Sequence, residues 1–204
     1  MQLLIASRNK HKVREIRAIL DDLKLDIISA ADVPGLPEIV EDAPTIRDNA
    51  IKKATQTALM AKRLTMADDT GLEVDALNGE PGVRSARFAS DNATYHENNR
   101  KLMQLLEGVP LEKRSARFRS VIALADEKGL IEVVEGICNG VIIEDERGGN
   151  GFGYDPLFIA DGQVKTFAEI PEESKNRISH RAKALQKAWA VLSRYVREQE
   201  TKAL

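Results

Sequence analysis

Three apolar runs, Val121-Ile122-Ala123-Leu124, Leu130 to Val134 and Val141-Ile142-Ile143, follow one another with links too short to hold a helix. Parallel neighbours need a crossover of about a dozen residues or more, so these runs predict adjacent antiparallel strands. The chain opens differently. Leu3-Leu4-Ile5-Ala6 gives way to the polar turn Ser7-Arg8-Asn9-Lys10, and Val13, Ile16, Ile19 and Leu20 then recur at helical spacing. Strand, polar loop and helix is the start of an α/β unit. The two patterns together predict a mixed α/β sheet flanked by helices.

Leu25 to Ile28 reads as a second strand, and Pro34, Gly35 and Pro37 mark a loop. Thr45-Ile46-Arg47-Asp48 behind Pro44 is a capping-box pattern, which predicts a helix running to about Arg63. Met66-Ala67 leads into Asp68-Asp69-Thr70-Gly71, read as a strand end and turn, with Leu72 to Leu77 a further short strand. Leu102, Leu105 and Leu106 predict a helix from about Tyr95 to Glu107, stopped by Gly108 and Pro110. The glycine-rich stretch Gly148 to Gly153 precedes the strand-like Pro156-Leu157-Phe158-Ile159. Ala182, Leu185, Trp189, Leu192 and Val196 predict a long closing helix with Ser179 as its N-cap and Trp189 on the core stripe. No linker divides the chain, so a single domain over residues 1–204 is expected.

Composition removes several function classes. The chain has 204 residues, 43% hydrophobic and 30% charged, enough for a sizeable core. A formal charge of −2 excludes a chain-wide basic footprint for nucleic acid, and 4% aromatics leave little for base-stacking platforms of the single-strand-binding kind. Cys138 is the single cysteine, which excludes an internal disulfide framework and a cysteine-based zinc site. His11, His96 and His180 are too scattered to suggest a poly-histidine metal site. No run approaches the roughly 18 apolar residues of a membrane span, and the opening apolar run is short for a secretion signal. The expected compartment is the cytoplasm, with neither membrane nor nucleic acid as a partner.

Several segments can carry chemistry. Ser7, Asn9 and Lys12 stand at a strand-to-helix junction, where backbone N–H groups and the helix dipole favour an anion such as phosphate. The same segment also fits a solvated loop with Asn9 as a cap. Lys53 falls on the inward stripe of the helix capped by Thr45, among small neighbours. Either it snorkels to solvent or it faces an anion. Asp68 and Asp69, with Glu41 from the preceding loop, suit a hard cation such as Mg²⁺ or a positioned water; a surface turn is the plain alternative. Phe152, Gly153, Tyr154 and Asp155 lie where a loop can close over a planar base, although the stretch is not a Walker loop; a plain glycine-rich hairpin loop is the alternative. His180 and Arg181 put positive charge in a first helical turn, against the helix dipole, an inconsistency expected at functional sites; a solvated helix start is the plain alternative.

Six segments resemble, in order and across nearly the whole chain, the inosine triphosphate pyrophosphatase (Ham1/RdgB-like) family. They are Ala6 to Lys12, Glu41 with Asn49 to Ala54, Ala67 to Leu72, Pro81 to Arg87, Gly151 to Pro156, and Ser179-His180-Arg181. The resemblance implies an elongated mixed sheet with two lobes around a central nucleotide-binding cleft, in a homodimer. It implies Mg²⁺-dependent hydrolysis of ITP, dITP and XTP to the monophosphate and pyrophosphate, removing deaminated purines from the nucleotide pool. By the same resemblance Ser7, Asn9, Lys12 and Lys53 hold the triphosphate, and Glu41 and Asp69 organise the metal. Asp69 is the general base, with Asp68 in support. Phe152 stacks on the base; Gly153, Tyr154, Asp155, Lys175, His180 and Arg181 complete its pocket. Thr70 replaces the usual serine while keeping a hydroxyl, and Arg8 stands where many members have glycine. Pyrophosphatases of modified pyrimidine nucleotides, and a nucleotide-binding module without turnover, are the competing expectations.

Overall fold

The computed structural model describes residues 1–202. Its six strands are β1 (Gln2–Ile5), β2 (Asp26–Ser29), β3 (Thr65–Val74), β4 (Ser115–Asp126), β5 (Gly129–Ile142) and β6 (Phe158–Ala160). They are hydrogen-bonded in the order β2-β1-β3-β4-β5-β6. The α-helices are α1 (Lys10–Leu20), α2 (Ile46–Ala61), α3 (Tyr95–Leu105), α4 (Glu172–Ile178) and α5 (His180–Lys202). β1 is parallel to both β2 and β3, whereas β5 and β6 are antiparallel. The expected mixed α/β sheet with flanking helices is thus the observed one. Among the described residues no helix is long and apolar enough to cross a membrane.

Two compact units share the chain. The first comprises Met1–Asp69, Ser120–Gly136 and the residues from Arg181 onward; the second comprises Thr70–Arg119 and Ile137–His180. In the first unit Leu3 and Ile5 of β1, Ile16 and Leu20 of α1, Met66, Ile122 and Leu124 pack with Leu185, Ala188 and Leu192 of α5. In the second, Leu72 and Val74 pack with Leu102, Phe118, Ile142, Tyr154, Phe158 and Phe167.

Three expectations need correction, and one short helix has no counterpart among them. Asp68-Asp69-Thr70-Gly71 is not a turn, because β3 runs through it as one ten-residue strand and bends into a short 3₁₀ turn only at Asp75–Leu77. The carboxylates are tolerated there because buried cations meet them, as described below. The second and third apolar runs are one strand, β5, of 14 residues. Its glycines and Cys138 interrupt the sequence pattern without breaking the ladder, and Gly140 is needed where β6 crosses: a Cβ there would collide with the Ile159 carbonyl and the Phe158 ring. The short helix α4 gave no periodic signal. Trp189 does not join the core; it keeps 39% of its surface and donates from Nε1 to Asp22 Oδ1 at 2.9 Å.

Candidate active site

In the first unit α1 begins where it does because Asn9 caps it. Asn9 Oδ1 accepts from the N–H groups of His11 and Lys12 at 3.0 and 3.3 Å, and Ser7 Oγ accepts from Asn9 N at 3.2 Å. The cap aims Lys12 out of the first turn, with Nζ 3.1 Å from Asp68 Oδ2 and 3.3 Å from the Asp68 carbonyl. Lys53 resolves the other way from snorkelling. It is 7% exposed on the buried face of α2 beside Ala50, Ala54 and Thr57. Its Nζ lies 2.5 Å from Glu41 Oε1, 3.0 Å from the Asp68 carbonyl and 3.5 Å from Asp69 Oδ1. Burial opposes the Lys53 charge, but Asp69 and Glu41 outweigh it and leave the ammonium harder to deprotonate than usual.

The adjacent aspartates are in opposite states. Asp68 is wholly buried; its Oδ1 accepts from the Ser120 hydroxyl at 2.6 Å and its Oδ2 from Arg181 Nε at 3.1 Å. Burial works against its charge, yet Arg181, Lys12, the Ser120 hydroxyl and Lys53 hold its carboxyl well below the usual range. Asp69 is shifted upward: burial raises it and is only partly offset by Lys53 and Lys12, while the Glu41 and Asp68 charges add to the rise. Asp68 therefore serves as a fixed anion, whereas Asp69 is the more basic carboxylate of the pair.

Arg181 is 1% exposed and divides its guanidinium between Asp68 and Glu15, whose Oε2 lies 2.5 Å from Nη1. These contacts give Arg181 two carboxylate partners within the first unit. Glu15 and Ser120 escape sequence reasoning. The signal for Glu15 is an acid three residues after Lys12, set beside the apolar Val13–Ile16–Leu20 stripe; Ser120 carries none. Three cations, Lys12, Lys53 and Arg181, thus meet the carboxylates of Glu15, Glu41, Asp68 and Asp69.

Glu41 and Asp69 converge on one ammonium, that of Lys53. Two carboxylates with no nitrogen or sulfur donor fit Mg²⁺, which takes few protein oxygens and completes its shell with water and phosphate. Among the described residues no three His, Cys, Asp or Glu side chains form a metal cage.

In the second unit Asp155 and Lys175 are each 2% exposed and paired at 2.6 Å. Asp155 Oδ2 also accepts from Phe152 N at 2.9 Å, and Lys175 Nζ stands 4.8 Å from the Phe152 ring centroid. Gly151 (φ +72°) must be glycine, since a Cβ would strike the Asp155 carboxylate. His180 is buried and stacks on Phe118, centroids 4.5 Å apart. Tyr154 turns into the core and donates to the Ser85 carbonyl at 2.9 Å, and burial pushes its phenol far above its ordinary value. Thr70 is half-buried in β3 directly after Asp69, and Gly153 (φ +65°) has open space where a Cβ would stand. The structure thus gathers Ser7, Asn9, Lys12, Glu41, Lys53, Asp68, Asp69 and Arg181 in the first unit and Phe152 to Asp155, Lys175 and His180 in the second.

An α/β sheet carrying a buried set of lysines and carboxylates at one strand, with an aromatic glycine loop and the buried Lys175 of α4 elsewhere, has the groups of an anion-handling hydrolytic protein. The chain belongs to the Ham1 family, whose profile matches residues 3–191. It is 50% identical over 200 residues to a dITP/XTP pyrophosphatase of Desulforamulus reducens, covering 98% of this chain and 100% of the relative. A dITP/XTP pyrophosphatase of Geobacter sulfurreducens is 48% identical, with 90% and 92% covered. Among solved structures, a HAM1 protein from Coxiella burnetii superposes with a TM-score of 0.86 at 38% identity, covering 95% of this chain and 99% of the other.

Proposed function

We propose that the protein is a nucleoside-triphosphate diphosphatase that hydrolyses ITP, dITP and XTP to the monophosphate and pyrophosphate. The observation that carries this reading is the contrast within one strand: Asp68 locked as an anion, and Asp69 made more basic beside Lys53 and Glu41. The names of its close relatives agree with it.

Asp69 takes a proton from water as the water oxygen bonds to the α-phosphorus; the α–β bridging bond breaks and its electron pair leaves with pyrophosphate. Positioning and charge do most of this work, since a triphosphate carries about four negative charges that must be offset as the leaving group departs. Lys12 and Lys53, held in place by Asp68 and Glu41, present that charge, and Ser7 and Asn9 border the helix start that receives phosphate. Mg²⁺, held by Glu41 and Asp69, supplies charge neutralisation and a more acidic water when bound. Burial of Asp68 keeps Lys12 from relaxing toward solvent.

Base choice belongs to the second unit. Phe152 offers a stacking face, and Lys175 and His180 are donors suited to the 6-oxo group that hypoxanthine and xanthine carry and adenine lacks. Donors left unpaired by adenine give discrimination of up to about 10⁴. A homodimer and action in the cytoplasm, on free nucleotides rather than nucleic acid, complete the proposal and rest on the family.

The test is product analysis with Mg²⁺ for ITP, dITP and XTP against ATP, GTP and CTP. Pyrophosphate and monophosphate from the first three, with at least about a hundredfold lower kcat/KM for the others, is expected. Release of orthophosphate, equal use of ATP, or preference for a modified pyrimidine overturns the proposal.

A further inference from the structure

The glycine loop that carries Phe152 is pliable by composition, because both neighbours, Gly151 (φ +72°) and Gly153 (φ +65°), adopt left-handed backbone. A stacking platform on such a loop needs restraint from outside it. Part comes from Asp155 and Lys175, through the Phe152 N–H bond at 2.9 Å and the ammonium 4.8 Å from the ring centroid. A further restraint comes from Tyr95, whose ring centroid lies 6.0 Å from that of Phe152 at an interplanar angle of 44°, inside the range in which aromatic pairs attract.

Tyr95 is placed by elements independent of the glycine loop. It is the first residue of α3, which a capping box fixes: Thr94 Oγ1 accepts from Glu97 N at 3.3 Å, and Glu97 Oε2 accepts from Thr94 N at 2.7 Å. The helix is anchored elsewhere, by Leu102 in the core and by Asn98, which accepts from Ala89 N at 2.8 Å and donates to the Ala86 carbonyl at 3.0 Å. Tyr95 itself is 43% exposed, so its ring is not needed to hold α3 down.

We propose that Tyr95 is a positioning residue for substrate, bracing the Phe152 ring so that a purine can stack on it. The inference rests on the reading of Phe152 as the base platform. An aromatic pair of this kind corresponds to about a two- to twelvefold change in an equilibrium. Tyr95→Ala should therefore raise KM for dITP and XTP by about that factor, with kcat within about twofold and the melting temperature within about 2 °C. Tyr95→Phe should keep the wild-type KM, since the ring and not the hydroxyl makes the contact.

The decisive comparison is a cycle with Phe152→Ala. That variant should raise KM by itself, and adding Tyr95→Ala should change it no further. If Phe152→Ala raises KM while Tyr95→Ala does not, or if the two effects multiply, Tyr95 does not act through Phe152. A Phe152→Ala variant with wild-type KM overturns the platform reading itself, and the role of Tyr95 with it.

Discussion

Replacing Arg181 by alanine removes the cation shared by two buried carboxylates. Glu15 loses its 2.5 Å contact, whereas Asp68 keeps Lys12 at 3.1 Å and the Ser120 hydroxyl at 2.6 Å. Breaking a buried pair from one side costs about 3–5 kcal/mol, chiefly through the charge left behind. With Glu15 deprived of this cation and Asp68 half-supported, a loss of about 4 kcal/mol is expected. For a chain of this size each kcal/mol moves the melting temperature by about 2–4 °C, so Arg181→Ala should melt roughly 8–16 °C lower. Urea titration and calorimetry with EDTA at neutral pH measure both quantities without a metal contribution. The cause is checked by adding Glu15→Leu, which removes the stranded charge and should restore part of the loss. A deficit below about 1 kcal/mol, or a double variant less stable than Arg181→Ala alone, refutes the idea that Arg181 is held as the counter-ion of Glu15 and Asp68.

Asp69→Asn should lower kcat by about 10²–10⁴, the usual worth of a general base, while dITP still binds by calorimetry; unchanged turnover removes Asp69 from the mechanism. Burial sets the Asp69 carboxyl above its ordinary 3.8, with Glu41 and Asp68 adding to the rise. In the metal-free protein the Asp69 carboxylate, followed by ¹³C NMR, should therefore take up its proton above 3.8 as pH drops, and protonation only at or below 3.8 contradicts the burial argument. Gly151→Ala places a methyl against Asp155 at φ +72°, costing about 1–2 kcal/mol locally. It should raise KM for dITP more than it lowers kcat, which steady-state kinetics will show.

What could be read from the sequence was what local pattern encodes. β1, α1, α2 and α3 follow from apolar spacing, with Asn9 and Thr45 as caps of α1 and α2, all interactions within a few residues. The stretch from Asp68 to Gly71 looked like a turn because its side chains are turn formers, yet it is strand because Lys12, Lys53, Ser120 and Arg181 arrive from up to 113 residues away to meet the carboxylates. β5 seemed to be two strands because Gly140 interrupts an apolar pattern, and the reason for that glycine, the closeness of Ile159, is equally non-local. The candidate site divides along the same line. Lys53 is legible as a lysine on the inward stripe that either snorkels or faces an anion, but the sequence does not show that Glu41, Asp68 and Asp69 hold it inward. Tyr154 sat inside a recognisable motif, and nothing in its neighbours indicated that its hydroxyl would be spent on Ser85.

Hydrolysis in ¹⁸O-labelled water reports directly on where the nucleophile bonds. If Asp69 delivers water to the α-phosphorus, dITP should yield unlabelled pyrophosphate and dIMP carrying one ¹⁸O, read by mass spectrometry. Label in the pyrophosphate would place the attack at the β-phosphorus and contradict the account.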